Sequence, residues 1–129
     1  LESDIHFLKE KVKLGAEYIV TQMFFDNKKF FEFQNVCKKE GINVPIIPGL
    51  KPISTRKQLN ILPHRFHCDL PVTLIKEIIK CKDNSQVKQV GIEWCIQQSK
   101  ELKKAGVPFL HYYSMGKALN IKKIASEIF

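Results

Sequence analysis

The sequence predicts an α/β fold built on a parallel sheet, and three observations carry that prediction. Residues 18–25, 44–49 and 109–113 are apolar almost throughout and rich in β-branched or aromatic side chains. Runs that are continuously apolar, instead of alternating, belong to strands covered on both faces. Segments of helical periodicity separate them, and strands alternating with helices make βα units.

Each element has its own signal. Ile5, Leu8 and Val12 form an apolar stripe that ends at Gly15, a helix C-cap. The first strand follows. Asp26 or Asn27 then caps a helix that carries Phe30, Phe31, Phe33 and Val36 and stops before Gly41. The second strand closes on the rigid turn Pro48-Gly49-Leu50-Lys51-Pro52. Ser54 or Thr55 starts a helix that runs through Leu62 and is stopped by Pro63. Pro71 opens another to about Ile79, and Asn84 or Ser85 starts a long one to about Leu102. The turn Ala105-Gly106-Val107-Pro108 leads into the third strand, and a last helix is predicted from about Gly116 to Ile128.

Composition narrows the function classes. A chain of 129 residues with 44% hydrophobic and 26% charged residues is sized and balanced for one globular domain. No apolar run reaches the roughly 18 residues that a spanning helix needs, which argues against a membrane protein. Cys37, Cys68, Cys81 and Cys95 are irregularly spaced and form no CxxC pair. Reduced thiols in a cytoplasmic protein are therefore expected. The net charge of +8 favours an anionic partner. Its lysines are scattered over amphipathic helices and form no dense stripe, so a nucleic-acid partner is not expected.

In α/β folds the chemistry lies at the carboxyl ends of the strands. Three polar groups stand there: Thr21, Gln22 and Asp26; Lys51 and Ser54, with Gln58 a helical turn beyond; and Tyr113, Ser114 and Lys117. A glutamine inside an apolar strand must find partners, since burying its amide unpaired costs about 1–3 kcal/mol. Gln22 can satisfy a neighbouring backbone group or present its acceptor and donors to a heterocycle. Lys117 stands near a helix start, where backbone N–H groups favour anions, but by itself it reads first as a plain surface lysine.

These residues carry a family resemblance. LKEKVKLGAEYIVTQMFFD, GINVPIIPGLKPIS and GVPFLHYYSMGKAL closely resemble the last three strand regions of methylenetetrahydrofolate reductases, in order, from about Asp4 to Ile128. The joining of TQ-x-FFD to PI-x-PG-x-x-P at this distance is the specific part. The resemblance implies the C-terminal portion of a (β/α)₈ TIM barrel, its sixth to eighth strands, with residues 1–129 a fragment of the catalytic domain. It further implies an oxidoreductase of one-carbon metabolism and methionine biosynthesis. Such an enzyme uses FAD to pass a hydride from NAD(P)H to 5,10-methylenetetrahydrofolate, giving 5-methyltetrahydrofolate.

Residue by residue, the resemblance makes Gln22, Gln58, Tyr113 and Lys117 folate-site residues. Asp4 and Lys11 fall on positions that contact the adenosine and phosphate portion of FAD. Phe7 and Glu10 stand where some relatives have flavin-contacting Asn and Arg, and Leu62 replaces a stacking aromatic found in some members. HYYSMGK in place of HFYTLNR puts Lys117 where the family has arginine, and a lysine cannot make a bidentate grip. The family's acid residues belong to earlier strands, so this segment alone is expected to be inactive. Three parallel strands with open edges also predict self-association. Two other readings compete: a basic, non-catalytic binding module or scaffold with a decayed site, and a metal site at His64, His67, Cys68 and Cys81, whose spacing matches no zinc motif closely.

Overall fold

The computed structural model describes residues 2–66 and 69–113. Lys117 and the helix expected around 116–128 lie outside the described residues, as do His67 and Cys68. The elements run α1 (Glu2–Lys13), β1 (Ile19–Met23), α2 (Asn27–Lys39), β2 (Ile46–Leu50), α3 (Gln58–Phe66), α4 (Val72–Ile79), α5 (Asn84–Lys104) and β3 (His111–Tyr112). This is the predicted α/β architecture: three parallel strands in the order β1-β2-β3, with flanking helices.

The three helices that lead into strands end in the same way. After α1, the Gly15 and Ala16 amides donate to the carbonyls of Val12 and Lys11; after α2, Gly41 and Ile42 donate to Lys38 and Cys37; after α5, Gly106 and Val107 donate to Lys103 and Leu102. Each is a Schellman motif with its glycine at positive φ (104°, 81° and 89°). The starts are equally explicit. Asp26 caps α2 by accepting from the Lys28 amide, and Asp83 caps α5 by accepting from the Gln86 amide.

Two cores result. Ile19, Ile46 and Leu50 pack against Ile5 of α1, Phe30 and Cys37 of α2, and Ile92, Cys95 and Leu102 of α5. Beyond the carboxyl ends of the strands, Met23, Phe25 and Ile53 pack with Leu62 of α3, Leu74 and Ile78 of α4, and Val87 of α5. The second core fixes the long connection between β2 and α5, which the strand ends need in order to hold any constellation in place.

Three local expectations are corrected. The strands are shorter than the apolar runs, because β3 pairs with β2 only at Gly49–His111 and Leu50–Tyr112. Only one sheet face is covered by described elements; Val20 and Ile47 on the other are partly exposed and His111 is exposed. Finally, α3 begins at Gln58 and continues through Pro63 to Phe66. Pro63 removes one backbone bond, to Leu59, but Leu62 beside it is almost wholly buried (1% exposed), and that anchorage holds the helix across the proline.

Candidate active site

The carboxyl ends of β1, β2 and β3 meet around a local irregularity. Val20 pairs with Ile47 and Met23 pairs with Gly49, so β1 takes three steps where β2 takes two. The extra residue is a bulge at Thr21–Gln22, a feature that re-aims side chains beside functional sites. Two side-chain hydroxyls secure it. Thr21 Oγ1 accepts from the Gly49 amide at 2.9 Å, and the Tyr113 hydroxyl donates to the Thr21 carbonyl at 2.9 Å. The Tyr113 amide donates to the Leu50 carbonyl at 2.7 Å, which fixes the tyrosine backbone.

Gln22 is exposed at this bulge. The expected penalty for burying its amide therefore does not arise within the described residues, and its position on the open face of the sheet is what marks it. Gln58 stands in the connection after β2, and its Oε1 accepts from the Ser54 amide at 2.6 Å and the Thr55 amide at 3.2 Å. That is the glutamine half of a capping box, closing the turn entering α3, while the Gln58 amide donates to the Thr55 carbonyl. One end of the Gln58 carboxamide is thus structural, and the Thr55-x-x-Gln58 spacing in the sequence was its signal. Lys11 lies on α1, away from the bulge, with its ammonium 4.8 Å from the centre of the Phe7 ring. Asp4 is two turns earlier on the same helix.

Behind β2 and β3 lies a buried polar clasp that local sequence patterns do not reveal. Lys51 (3% exposed) follows β2, near Cys95 of α5. Ser99 donates to the Cys95 carbonyl and shares a 2.8 Å hydrogen bond with the Tyr112 hydroxyl. Burial pushes the Cys95 thiol up to about 12, against smaller opposing effects of Ser99 and the Lys51 charge. Burial likewise raises the Tyr112 phenol. Both groups stay protonated at neutral pH, so this cluster braces β3 against α5 and supplies no nucleophile. Cys37, Cys81 and Cys95 are free thiols. Among the described residues no group of three or more His, Cys, Asp or Glu side chains is placed to hold a metal, and no helix is long and apolar enough to cross a membrane.

A family model described as methylenetetrahydrofolate reductase matches residues 1–128. The chain belongs to that family. It is 38% identical over 128 residues to methylenetetrahydrofolate reductase (NADH) 1 of Arabidopsis thaliana, covering 98% of this chain and 21% of that protein. It is 30% identical over 129 residues to a probable methylenetetrahydrofolate reductase (NADPH) of Caenorhabditis elegans, covering 98% of this chain and 20% of that protein. With the 5,10-methylenetetrahydrofolate reductase of Escherichia coli it shares 30% identity over 118 residues, 91% of this chain and 40% of that one. The segment thus spans between a fifth and two fifths of these reductases. In fold it is similar to a Clostridium thermocellum protein described as binding two copies of 5-methyl-5,6,7,8-tetrahydrofolic acid. That likeness has a TM-score of 0.59 at 18% identity and covers 98% of this chain and 47% of the other. The architecture is consistent with part of a (β/α)₈ barrel.

Proposed function

We propose that residues 1–129 form the C-terminal part of a methylenetetrahydrofolate reductase barrel and contribute its sixth, seventh and eighth strands. The complete enzyme, a cytoplasmic flavoprotein in this reading, reduces 5,10-methylenetetrahydrofolate with NAD(P)H. The observation that carries the reading is Gln22, exposed on a bulge at the carboxyl end of β1, in a chain that belongs to this family. Its carboxamide offers an acceptor and two donors side by side, which matches the edge of a pterin, and it adds no charge beside a flavin.

The remaining roles follow from position and chemistry. Gln58 keeps its amide nitrogen for the folate while its oxygen caps α3, and Lys117 supplies a point charge for an acidic substrate group. The exposed Lys11 in the last turn of α1 suits the diphosphate of FAD, while Lys9 is paired with Glu40 at 2.8 Å and Lys13 lies 3.7 Å from Glu10. In this reading Lys11 and Asp4 hold that end of the cofactor. When bound, FAD supplies the hydride transfer between nicotinamide and folate.

The reading is tested on Gln22 in a complete reductase carrying this segment. Gln22→Ala leaves the pterin edge unpaired, and Gln22→Glu removes two donors and adds charge. Each is expected to keep FAD while the folate half-reaction slows about tenfold or more, from the roughly 1–3 kcal/mol such an unpaired group costs. Flavin reduction by the nicotinamide should change less. Stopped-flow measurement of the two half-reactions decides it, and unchanged folate reduction in both variants would make Gln22 a structural residue.

The 129-residue segment expressed by itself is expected to be colourless, inactive and self-associated. The family's acid residues fall in earlier strands by the resemblance, and the outer edges of β1 and β3 offer pairing to a second copy. Stoichiometric bound flavin or measurable turnover would contradict the first two expectations. A monomer in sedimentation at micromolar concentration would contradict the third.

A further inference from the structure

We propose that Tyr113 and Thr21 are positioning residues for folate reduction, acting through Gln22 by locking the bulge that presents it. The proposal rests on the reading of Gln22 as the folate contact and assigns Tyr113 a role other than touching the folate.

The geometry is a relay across three strands. Because β1 spends an extra residue between its pairings with Ile47 and Gly49, the Gly49 amide meets a side chain, Thr21 Oγ1, where a regular ladder would offer a carbonyl. The Thr21 carbonyl, in turn, accepts from the Tyr113 hydroxyl beyond β2. The tyrosine ring reaches it by lying over Gly49, where a Cβ would come within 2.6 Å of Tyr113 Cε2. A phenol already committed to a backbone carbonyl has used its only proton, so it has no donor left for a pterin.

Without these two hydroxyls, the bulge loses the Thr21 Oγ1 acceptor for the Gly49 amide and the Tyr113 donor to the Thr21 carbonyl. The low-cost relief is for β1 to shift toward regular pairing, with Gln22 opposite Gly49. Such a slip moves side chains between faces. Met23 and Phe25 oppose a full slip, since both are buried in the second core. The consequence is therefore a loosened Gln22, not an unfolded strand, and the effect on rate is moderate.

The test uses a complete reductase carrying this segment, with Tyr113→Phe, Thr21→Val, Thr21→Ser and Gln22→Ala alone, and Tyr113→Phe combined with Gln22→Ala. Tyr113→Phe and Thr21→Val are each expected to slow the folate half-reaction about threefold to tenfold, the range of one lost hydrogen bond. FAD content and the nicotinamide half-reaction should stay at the parent level. Thr21→Ser keeps the acceptor and should restore the parent rate, and amide exchange at Gly49 should accelerate in Thr21→Val but not in Thr21→Ser. In the Gln22→Ala background, Tyr113→Phe should change the folate rate less than about twofold, because the residue it positions is gone. A silent Tyr113→Phe, or one whose effect persists undiminished without Gln22, overturns the proposal and leaves Tyr113 as a direct contact or a bystander. A silent Gln22→Ala instead removes the reading on which it rests. Should Thr21→Val fail to fold, Tyr113→Phe and the double variant still decide.

Discussion

Replacing Gly91 with alanine is expected to destabilise the protein by about 3 kcal/mol or more, the upper range of overpacking. A Cβ at this position would lie 1.8 Å from the Ile53 carbonyl oxygen, 2.7 Å from its carbon and 2.8 Å from the Ile53 amide nitrogen. The neighbour is backbone and cannot swing aside as a side chain would. Nor can the connection after β2 retreat, because Ile53 is 1% exposed and is enclosed by Leu62, Leu74 and Val87. Alanine would gain roughly 1 kcal/mol of helix propensity over glycine, and the clash outweighs it. Since residues 51–54 connect β2 to the Gln58 turn, displacement of that connection should also weaken folate binding. Urea denaturation of Gly91→Ala in the complete protein is the measurement. A rise in stability of about 1 kcal/mol would show that α5 and the connection have slack.

What the sequence revealed and what it concealed divide along the range of the interactions. Asp26 and Gly15, Gly41 and Gly106 were legible because caps are local: each acts on backbone groups within five residues. The strands were legible because Ile19, Ile46 and Leu50 must be apolar to face the helices. Gly91 carries no local signal, for its reason is contact with a residue 38 positions away. The bulge at Thr21–Gln22 was invisible for the same reason, since register is a property of two strands and the Tyr113–Thr21 bond joins residues 92 apart. The buried pair of Asn27 and Gln98, in which the Asn27 amide donates to the Gln98 carbonyl at 3.1 Å, is another long-range tie, between the start of α2 and α5. Gln22 itself was legible as a polar residue in an apolar strand, but its exposure and the device that aims it were not. Pro63 misled because a local helix-breaking rule lost to the burial of Leu62.

Gly49→Ala is expected to combine both kinds of damage, to stability and to the site. The added Cβ would stand 2.5 Å from the Thr21 carbonyl oxygen and 2.6 Å from Tyr113 Cε2, so it would wedge apart the two partners of the hydrogen bond that holds the bulge. Gly49 is not among the described glycines with positive φ, so the cost is one of space and not of backbone conformation. Leu50 (0% exposed) beside it and the buried Pro48 before it leave β2 little room to shift. A loss of about 2–3 kcal/mol in stability is expected. The folate half-reaction should slow at least as much as in Tyr113→Phe, because the same bond is broken. Tyr113→Ala provides the internal control. It removes the ring that the new methyl group meets, while the Thr21 carbonyl remains, so relief should be partial. The double variant should lose less stability than the sum of the two single variants by about 1 kcal/mol, measured by denaturant titration of all four proteins. Strict additivity would mean that the methyl group and the ring never compete for the same space, and the account of Gly49 as the tyrosine's seat would fall.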